Sequence, residues 1–469
     1  MRALCHGVLV TEAAAPEIPL ASRRQFQRSW FWYDWANSAY VTTVATVLMA
    51  PYLTAIAKEA ACPGLAENAQ CDATLSVLGI PIAPGSLAPY TTTVATIVSA
   101  IVLIFTGAIV DRTSQPTRLL GGFAWLGSAA ACGMFFVQGT NWQLGVALII
   151  LATVSLGSSL VVYDALLVRI STPDERDGVS SRGWAMGYLG GGILLAINLV
   201  VVSMYETFGM SKGMSVRVSL LSAGLWWAIF TLIPYLGLRK VKGTQVTPVD
   251  AKAGVVGGSL RQLQATFREL RLYPQTLLFL VAYLFFNDGI QTVIASASLY
   301  GDQELGFGES QLIVTVLLVQ FVAVGGALLF GRMAAVHGAK KMILSGLGLW
   351  MAVVVVAFFM PAQQFGLWLV LAVGIGIVLG GTQALARSLF SQLIPRGREG
   401  EFFSLYQAME RGTSWSGALI FGLVYQFAGS YRLSIVALIL FFGVGGYLLF
   451  RCNIREGIRQ AGNDVPAVV

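Results

Sequence analysis

The sequence predicts an all-α polytopic membrane protein, with twelve transmembrane helices in two pseudo-symmetric six-helix bundles. Three observations carry this: the shortage of charge, the number and length of the apolar runs, and a polar pattern that recurs in both halves. Of 469 residues, 56% are hydrophobic and 11% charged, against about a quarter charged in an ordinary soluble chain. So few charges cannot clothe the surfaces of two or three soluble domains. Lipid must therefore solvate most of the chain.

A helix needs about 20 apolar residues to cross the hydrocarbon core. The first half supplies such runs at 30–57, 89–111, 119–137, 142–168, 183–205 and 218–238. The second supplies them at 275–300, 310–331, 342–360, 365–386, 402–427 and 433–450. The uncharged stretches 119–163 and 342–386 are too long for one helix. Each breaks at a polar hinge, QGTNWQ (138–143) or MPAQQ (360–364).

These runs divide the chain into a cytoplasmic tail (1–25), a bundle (26–238), a linker (239–274), a second bundle (275–451) and a second cytoplasmic tail (452–469). The patch Ala3 to Val10 is too short to span and is followed by Pro16 and Pro19, so it does not read as a cleaved signal. In the linker, Leu260, Leu263, Phe267 and Leu270 share one helical face, the pattern of a helix lying at the lipid interface.

Orientation follows from the bases. With the N-terminus inside, 25 of the 30 lysines and arginines fall in interior segments and four in exterior loops, which places both termini in the cytoplasm. The net charge of +7 thus bears on topology; no basic helix interleaved with aromatics suggests nucleic acid. Two histidines and five scattered cysteines do not make a metal site, and no cofactor is expected. Cys62 and Cys71 share the longest exterior loop, where a local disulfide can form if that side is oxidising.

The two halves echo each other. YDWANSAY (33–40) in the first helix aligns with FNDGIQTV (286–293) in the seventh, setting Asp34 against Asp288, Asn37 against Gln291 and Ser38 against Thr292. The i, i+3, i+4 spacing puts each trio on one face. STPDERDG (171–178) likewise echoes LIPRGREG (393–400). Repeated halves with polar groups at matching positions are the trace of a transporter. The repeat is approximate, because Asp34 falls about four residues into its span and Asp288 about thirteen, roughly 6 and 20 Å deep.

The chain resembles the major facilitator superfamily, specifically the vacuole-effluxer, autophagy-related-22-like family. The resemblance rests on YDWANSAY (33–40), GYLGGGILLAINL (187–199), FLVAYLFFNDGIQTVI (279–294), GGTQALARSLFSQLIP (380–395) and EFFSLYQAMERGTSW (401–415), with the general superfamily signature as GAIVDR (107–112). It implies a major facilitator fold working by alternating access and efflux of amino acids or similar small solutes. It also implies that Gly107, Asp111 and Arg112 hold the inward-closed state. The second half departs from the signature, with Ala335 where an acid is expected. Helix 5 lacks the proline typical of drug/proton antiporters.

A charge near the bilayer centre costs about 3 kcal/mol on insertion scales, so each needs a role or a partner. The spans hold Asp34, Asp164, Asp288, Glu410 and Arg411, with Asp111 at an inner edge. Asp288 is the first proton-site candidate, since a carboxylate in a poorly hydrated cavity can load and release protons near neutrality. Asn287 and Gln291 are placed to bond a zwitterionic solute or to hold that carboxylate. The competing reading of Asp288 is a structural cap on a broken helix beside Gly289. Asp34 lies among Trp30, Trp32 and Trp35, where an interfacial charge is tolerated, or with Asn37 it faces the bundle as a solute contact.

Gln407 and Glu410 share a face, with Glu410 a second candidate for proton or solute charge. Arg411 either binds a substrate carboxylate or compensates an acid from another helix, Asp164 or Asp288. Tyr163 and Asp164, near the inner end of helix 4, are candidates for an inner gate.

The expected function is secondary active transport of a small-molecule solute, coupled to protons, by a monomer in lipid. The expected location is the plasma (cell inner) membrane. No enzyme triad or phosphate loop is recognisable, so the chain reads as a non-enzyme. The alternatives are a lipid, amphiphile or drug exporter, and a non-transporting receptor on the same fold.

Overall fold

The computed structural model describes residues 19–64, 71–77, 79–242, 270–412 and 414–469. Eleven helices among these residues are long and apolar enough to cross a membrane. The first begins earlier than the sequence suggests. α1 (Leu20–Ala39), a π-helical turn (Tyr40–Leu48) and α2 (Met49–Ala61) run on as one 42-residue rod. The expected tail therefore gives way to helix at Leu20. Its arginines do not end the helix because Arg23 pairs with Glu175 at 2.9 Å, while Gln27 donates to the Ile170 carbonyl at 3.0 Å.

A disulfide joins Cys62 and Cys71, and a short hairpin pairs β1 (Leu75–Val77) with β2 (Ile80–Ile82). The first half continues with α3 (Pro84–Arg112), α4 (Pro116–Gly133), α5 (Trp142–Ile170), α6 (Arg176–Ser203) and α7 (Lys212–Gly237). Proline at the first position suits α3 and α4, since that amide has no helical acceptor. Between α5 and α6, Thr172 and Glu175 form a reciprocal capping box.

The second half comprises α8 (Pro274–Gln303), α9 (Glu309–His337), α10 (Ala339–Phe358) and α11 (Phe365–Gln392), then α12 (Glu399–Gly412), α13 (Ser414–Ala428), α14 (Tyr431–Ala437) and α15 (Ile439–Arg451). The span expected at 402–427 is described as α12 and α13, on either side of Thr413, which lies outside the described residues. The amphipathic linker segment falls largely outside the described residues, which resume at Leu270.

The expected C-terminal tail is not free. α16 (Ile454–Gln460) buries Ile454 and Ile458. Beyond it, Asn463 donates to the carbonyls of Gln392 and Ile394, and the Ala467 amide to Asp174. Its charges lie on one side of a short amphipathic helix, which leaves an apolar side to dock. Gly338, between α9 and α10, has φ +91° with Val469 against it, a backbone that only glycine adopts without strain.

The two ends of the described chain lie on one face of the molecule, here the basic face. There the halves meet. α12 packs on α3 and α5, and α11 on α6, whereas α13 packs within its own half on α8 and α14. α6 and α9 converge in the same direction. A Cβ at Gly331 would run into Ser181 Oγ, while one at Gly192, farther from that face, would stand 3.4 Å from Gln320.

Candidate functional site

The most densely connected charge in the interior is Arg387 on α11. Its Nη2 lies 3.2 Å from Asp34 Oδ2 on α1, and its Nη1 lies 3.4 Å from Asp164 Oδ1 on α5. Its Nε donates to Ser180 Oγ at 3.0 Å, and Nη2 also donates to the Ser180 carbonyl at 3.1 Å. Trp30, Tyr163 and Trp184 surround the guanidinium, with ring centroids 4.9, 5.4 and 5.3 Å from its central carbon. A planar, delocalised cation suits this mixture of carboxylates and ring faces better than an ammonium would.

Both acids are further held. The Tyr163 hydroxyl donates to Asp34 at 2.7 Å, and Gln407 Nε2 on α12 donates to Asp164 Oδ2 at 2.8 Å. Tyr163 is fixed in turn, stacked on Trp30 at 4.1 Å, and its carbonyl accepts from Trp30 Nε1 at 2.8 Å. Asp34 is therefore a buried part of an ion cluster, not an interfacial charge; with α1 starting at Leu20, it lies deeper in its helix than expected. Asn37, one turn on, folds back to the Tyr33 carbonyl at 2.6 Å.

Nearer the basic face, the superfamily signature meets α12. Asp111 accepts from the amides of Gly400 at 2.7 Å and Glu401 at 2.9 Å, the first-turn donors that a helix leaves unsatisfied. Gly107 makes the approach possible, because a Cβ there would lie 2.5 Å from Ser404 Oγ and 2.6 Å from the Gly400 carbonyl oxygen. Arg112 beside them is exposed. Arg176 donates to the Ser391 carbonyl and to Gln392 Oε1, and Ser388 donates to Asp177 at 2.6 Å.

The residues expected on α8 take separate partners. Asn287 accepts from Gln383 at 2.8 Å. Asp288 Oδ2 accepts from the Ser416 hydroxyl and from the Gly417 amide at 3.0 Å, which ties α8 to α13. Asp288 Oδ1 is buried without a hydrogen-bond partner, as is Thr292 Oγ1. Gln291 is half-buried. Glu410 accepts from the Tyr283 hydroxyl at 3.1 Å.

Arg411 compensates neither acid proposed for it. Among the described residues it forms no ion pair, and its Nε is buried with no acceptor. That Nε would be 3.3 Å from a Cβ on Gly157 of α5, and Ser99 Oγ of α3, likewise buried and unpartnered, would be 3.0 Å from the same point. Arg411 thus faces the other half, at a level where buried polar atoms on both sides lack partners. Among the described residues no three His, Cys, Asp or Glu side chains gather closely enough to hold a metal ion.

Arg387 is the residue that sequence reasoning misses. Ending the apolar run at Ala386 counts it as a cytoplasmic base, yet α11 continues to Gln392. The signal was present in GGTQALARSLFSQLIP, where Leu389, Phe390, Leu393 and Ile394 follow the arginine before Pro395 stops the run. The internal repeat does not reveal it: with Pro173 set against Pro395, Arg387 falls opposite Ala165.

Comparison with known proteins gives the frame for this geometry. Residues 22–462 match the family model described as vacuole effluxer Atg22 like. The chain is 28% identical over 446 residues to an uncharacterized MFS-type transporter, YxiO, of Bacillus subtilis (strain 168), covering 94% of this chain and 98% of that one. It is 26% identical to autophagy-related protein 22-1 of Phaeosphaeria nodorum, covering 85% and 81%. In fold it is similar to the human organic anion transporter MFSD10 (TM-score 0.66, 13% identity, covering 92% of this chain and 100% of that one). It is similar also to the proton:xylose symporter XylE (TM-score 0.66, 12% identity, 92% and 96%). The chain belongs to the vacuole effluxer Atg22-like family, and its fold is that of the major facilitator superfamily transporters.

Proposed function

We propose that this transporter exports amino acids or similar small solutes by alternating access, coupled to protons. It would act as a monomer in the plasma membrane, with the basic face in the cytoplasm. The observation that carries the reading is the cluster of Arg387 with Asp34 and Asp164, whose members come from different halves. Opening the basic face must separate them, so the state of these charges and the state of the gate are linked.

Two carboxylates share one guanidinium there, so a proton taken up by either acid removes part of the attraction holding the halves together. That couples proton binding to opening without any new contact. Asp288, with one buried oxygen unpartnered, remains a second proton site. Arg411 is the solute contact: a cation without an ion-pair partner among the described residues, facing the other half, fits a carboxylate. Gln407 and Glu410 stand on the same helix between it and the cluster.

The test is flux in proteoliposomes, using a mixed panel of labelled amino acids with and without a pH gradient. Wild type, Asp164→Asn and Asp288→Asn are run together. Accumulation driven by the gradient, lost in one of the two variants, supports a proton-coupled carrier and names its site. Flux indifferent to the gradient in all three removes proton coupling. Absence of flux for every panel member removes amino acids as the solute.

A further inference from the structure

A second feature of the basic face lies outside the pathway between the halves. The end of α15 and the start of α10 border a cleft of about 420 Å³. Lys340, Lys341, Arg451 and Arg455 line it, with no Asp or Glu side chain among the lining residues. Lys340 is committed to structure, donating to the carbonyls of Phe450 at 2.9 Å and Cys452 at 2.8 Å at the end of α15. Lys341, Arg451 and Arg455 are exposed.

The surroundings of these charges indicate what they meet. Arg451 heads a stripe of exposed apolar side chains on α15, Tyr447, Val444 and Leu440, at helical spacing. Lys341 heads a matching exposed line on α10 that includes Leu349 and Val356. Between the stripes, a Cβ at Gly348 or Gly443 would meet nothing within 4 Å. The helices touch one turn or less nearer the cleft, where a Cβ at Gly446 would come 3.7 Å from Leu347. An apolar groove between two lipid-facing stripes therefore opens at its end into a cationic cleft.

We propose that this cleft binds the headgroup of an anionic phospholipid, with an acyl chain along the groove between α10 and α15. Scattered anchoring lysines and arginines would account for basic residues at this depth. They would not account for four basic side chains converging on one cavity, lined also by Val469 and by no acidic side chain, at the head of an apolar groove. A basic pocket between helices at the membrane boundary is the arrangement that holds a lipid phosphate.

The proposal is tested by native mass spectrometry of the full-length, delipidated protein, titrated with dioleoyl phosphatidylglycerol or dioleoyl phosphatidylcholine. The variant is Lys341→Gln with Arg455→Gln, which leaves the Lys340 cap in place. At about fivefold per surface cation, affinity for phosphatidylglycerol falls roughly thirtyfold in the double variant, and phosphatidylcholine binding is weak in both proteins. Lys240→Gln, an exposed cation on the other half, leaves binding unchanged. Equal loss in Lys240→Gln, equal binding of the two lipids, or full retention by the double variant would each overturn the site. Complete displacement of the lipid by millimolar inorganic phosphate would assign the cleft to a free anion and end the lipid reading.

Discussion

Arg387 reaches Asp34 at 3.2 Å from 353 residues farther along the chain, and so joins the first helix of one half to a late helix of the other. The contact is buried and charged on both sides. A buried pair of this kind adds little stability by itself, because both charges have left water, but removing one partner strands the other.

Arg387→Gln therefore destabilises the closed protein by about 3 to 5 kcal/mol, since Asp34 and Asp164 are left buried without their shared cation. Adding Asp164→Asn to Arg387→Gln recovers part of that loss. Thermal unfolding in one detergent, read as a double-mutant cycle, checks both statements. Additive effects of the two substitutions would show that the pair is not coupled.

Gly107→Ala acts on the contact between α3 and α12 without touching a charge. The new Cβ meets both Ser404 Oγ and the Gly400 carbonyl oxygen at under 3 Å, and the carbonyl cannot rotate away. α3 and α12 must then separate, which favours the state open at the basic face. A cysteine introduced at Ser391, buried on that side, reacts several-fold faster with an impermeant maleimide in the Gly107→Ala background. Adding Ser404→Ala does not restore slow labelling, because the backbone clash remains.

Asp288 separates structure from proton chemistry. Asparagine still presents an oxygen to the Gly417 amide, whereas alanine removes that acceptor. Asp288→Ala lowers stability by about 1 kcal/mol, and Asp288→Asn by less. If Asp288 carries the coupled proton, Asp288→Asn retains the fold and solute exchange but no longer accumulates solute against a pH gradient. Gradient-driven accumulation undiminished in Asp288→Asn would leave the residue with only its hydrogen bonds to Ser416 and Gly417.

How much of this was legible in the sequence follows from which features are local. Apolar runs and hinges are local, so the spans and their division into halves could be read directly. The Asp111 signature was also recognisable, though not that it caps α12. Helix ends went wrong where a charge was taken as a boundary. Arg23 and Arg24 hid the start of α1 at Leu20, and Arg387 hid the last turns of α11. In both places the charge is satisfied by a partner far away in sequence, Glu175 or Asp34, and no local window contains that information. For the same reason the sequence offers Arg411 as a partner for Asp164, a place that Arg387 holds in the structure.

Arg411 provides the sharpest contrast with Arg387, because the two buried-side arginines respond oppositely to the same change. Arg387 neutralises acids that are already in place, whereas Arg411 has no ion-pair partner among the described residues. Replacing a cation without an ion-pair partner by a neutral amide relieves desolvation and breaks no ion pair, at the cost of the favourable field it gives the neighbouring Glu410. Arg411→Gln is therefore expected to unfold at the same temperature as wild type or higher, while Arg387→Gln unfolds lower. Its deficit appears in transport: the KM for a carboxylate-bearing solute rises at least tenfold, and a solute lacking the carboxylate is unaffected. Stability falling in Arg411→Gln as it does in Arg387→Gln would mean that Arg411 holds the fold, and the solute contact would have to be sought elsewhere.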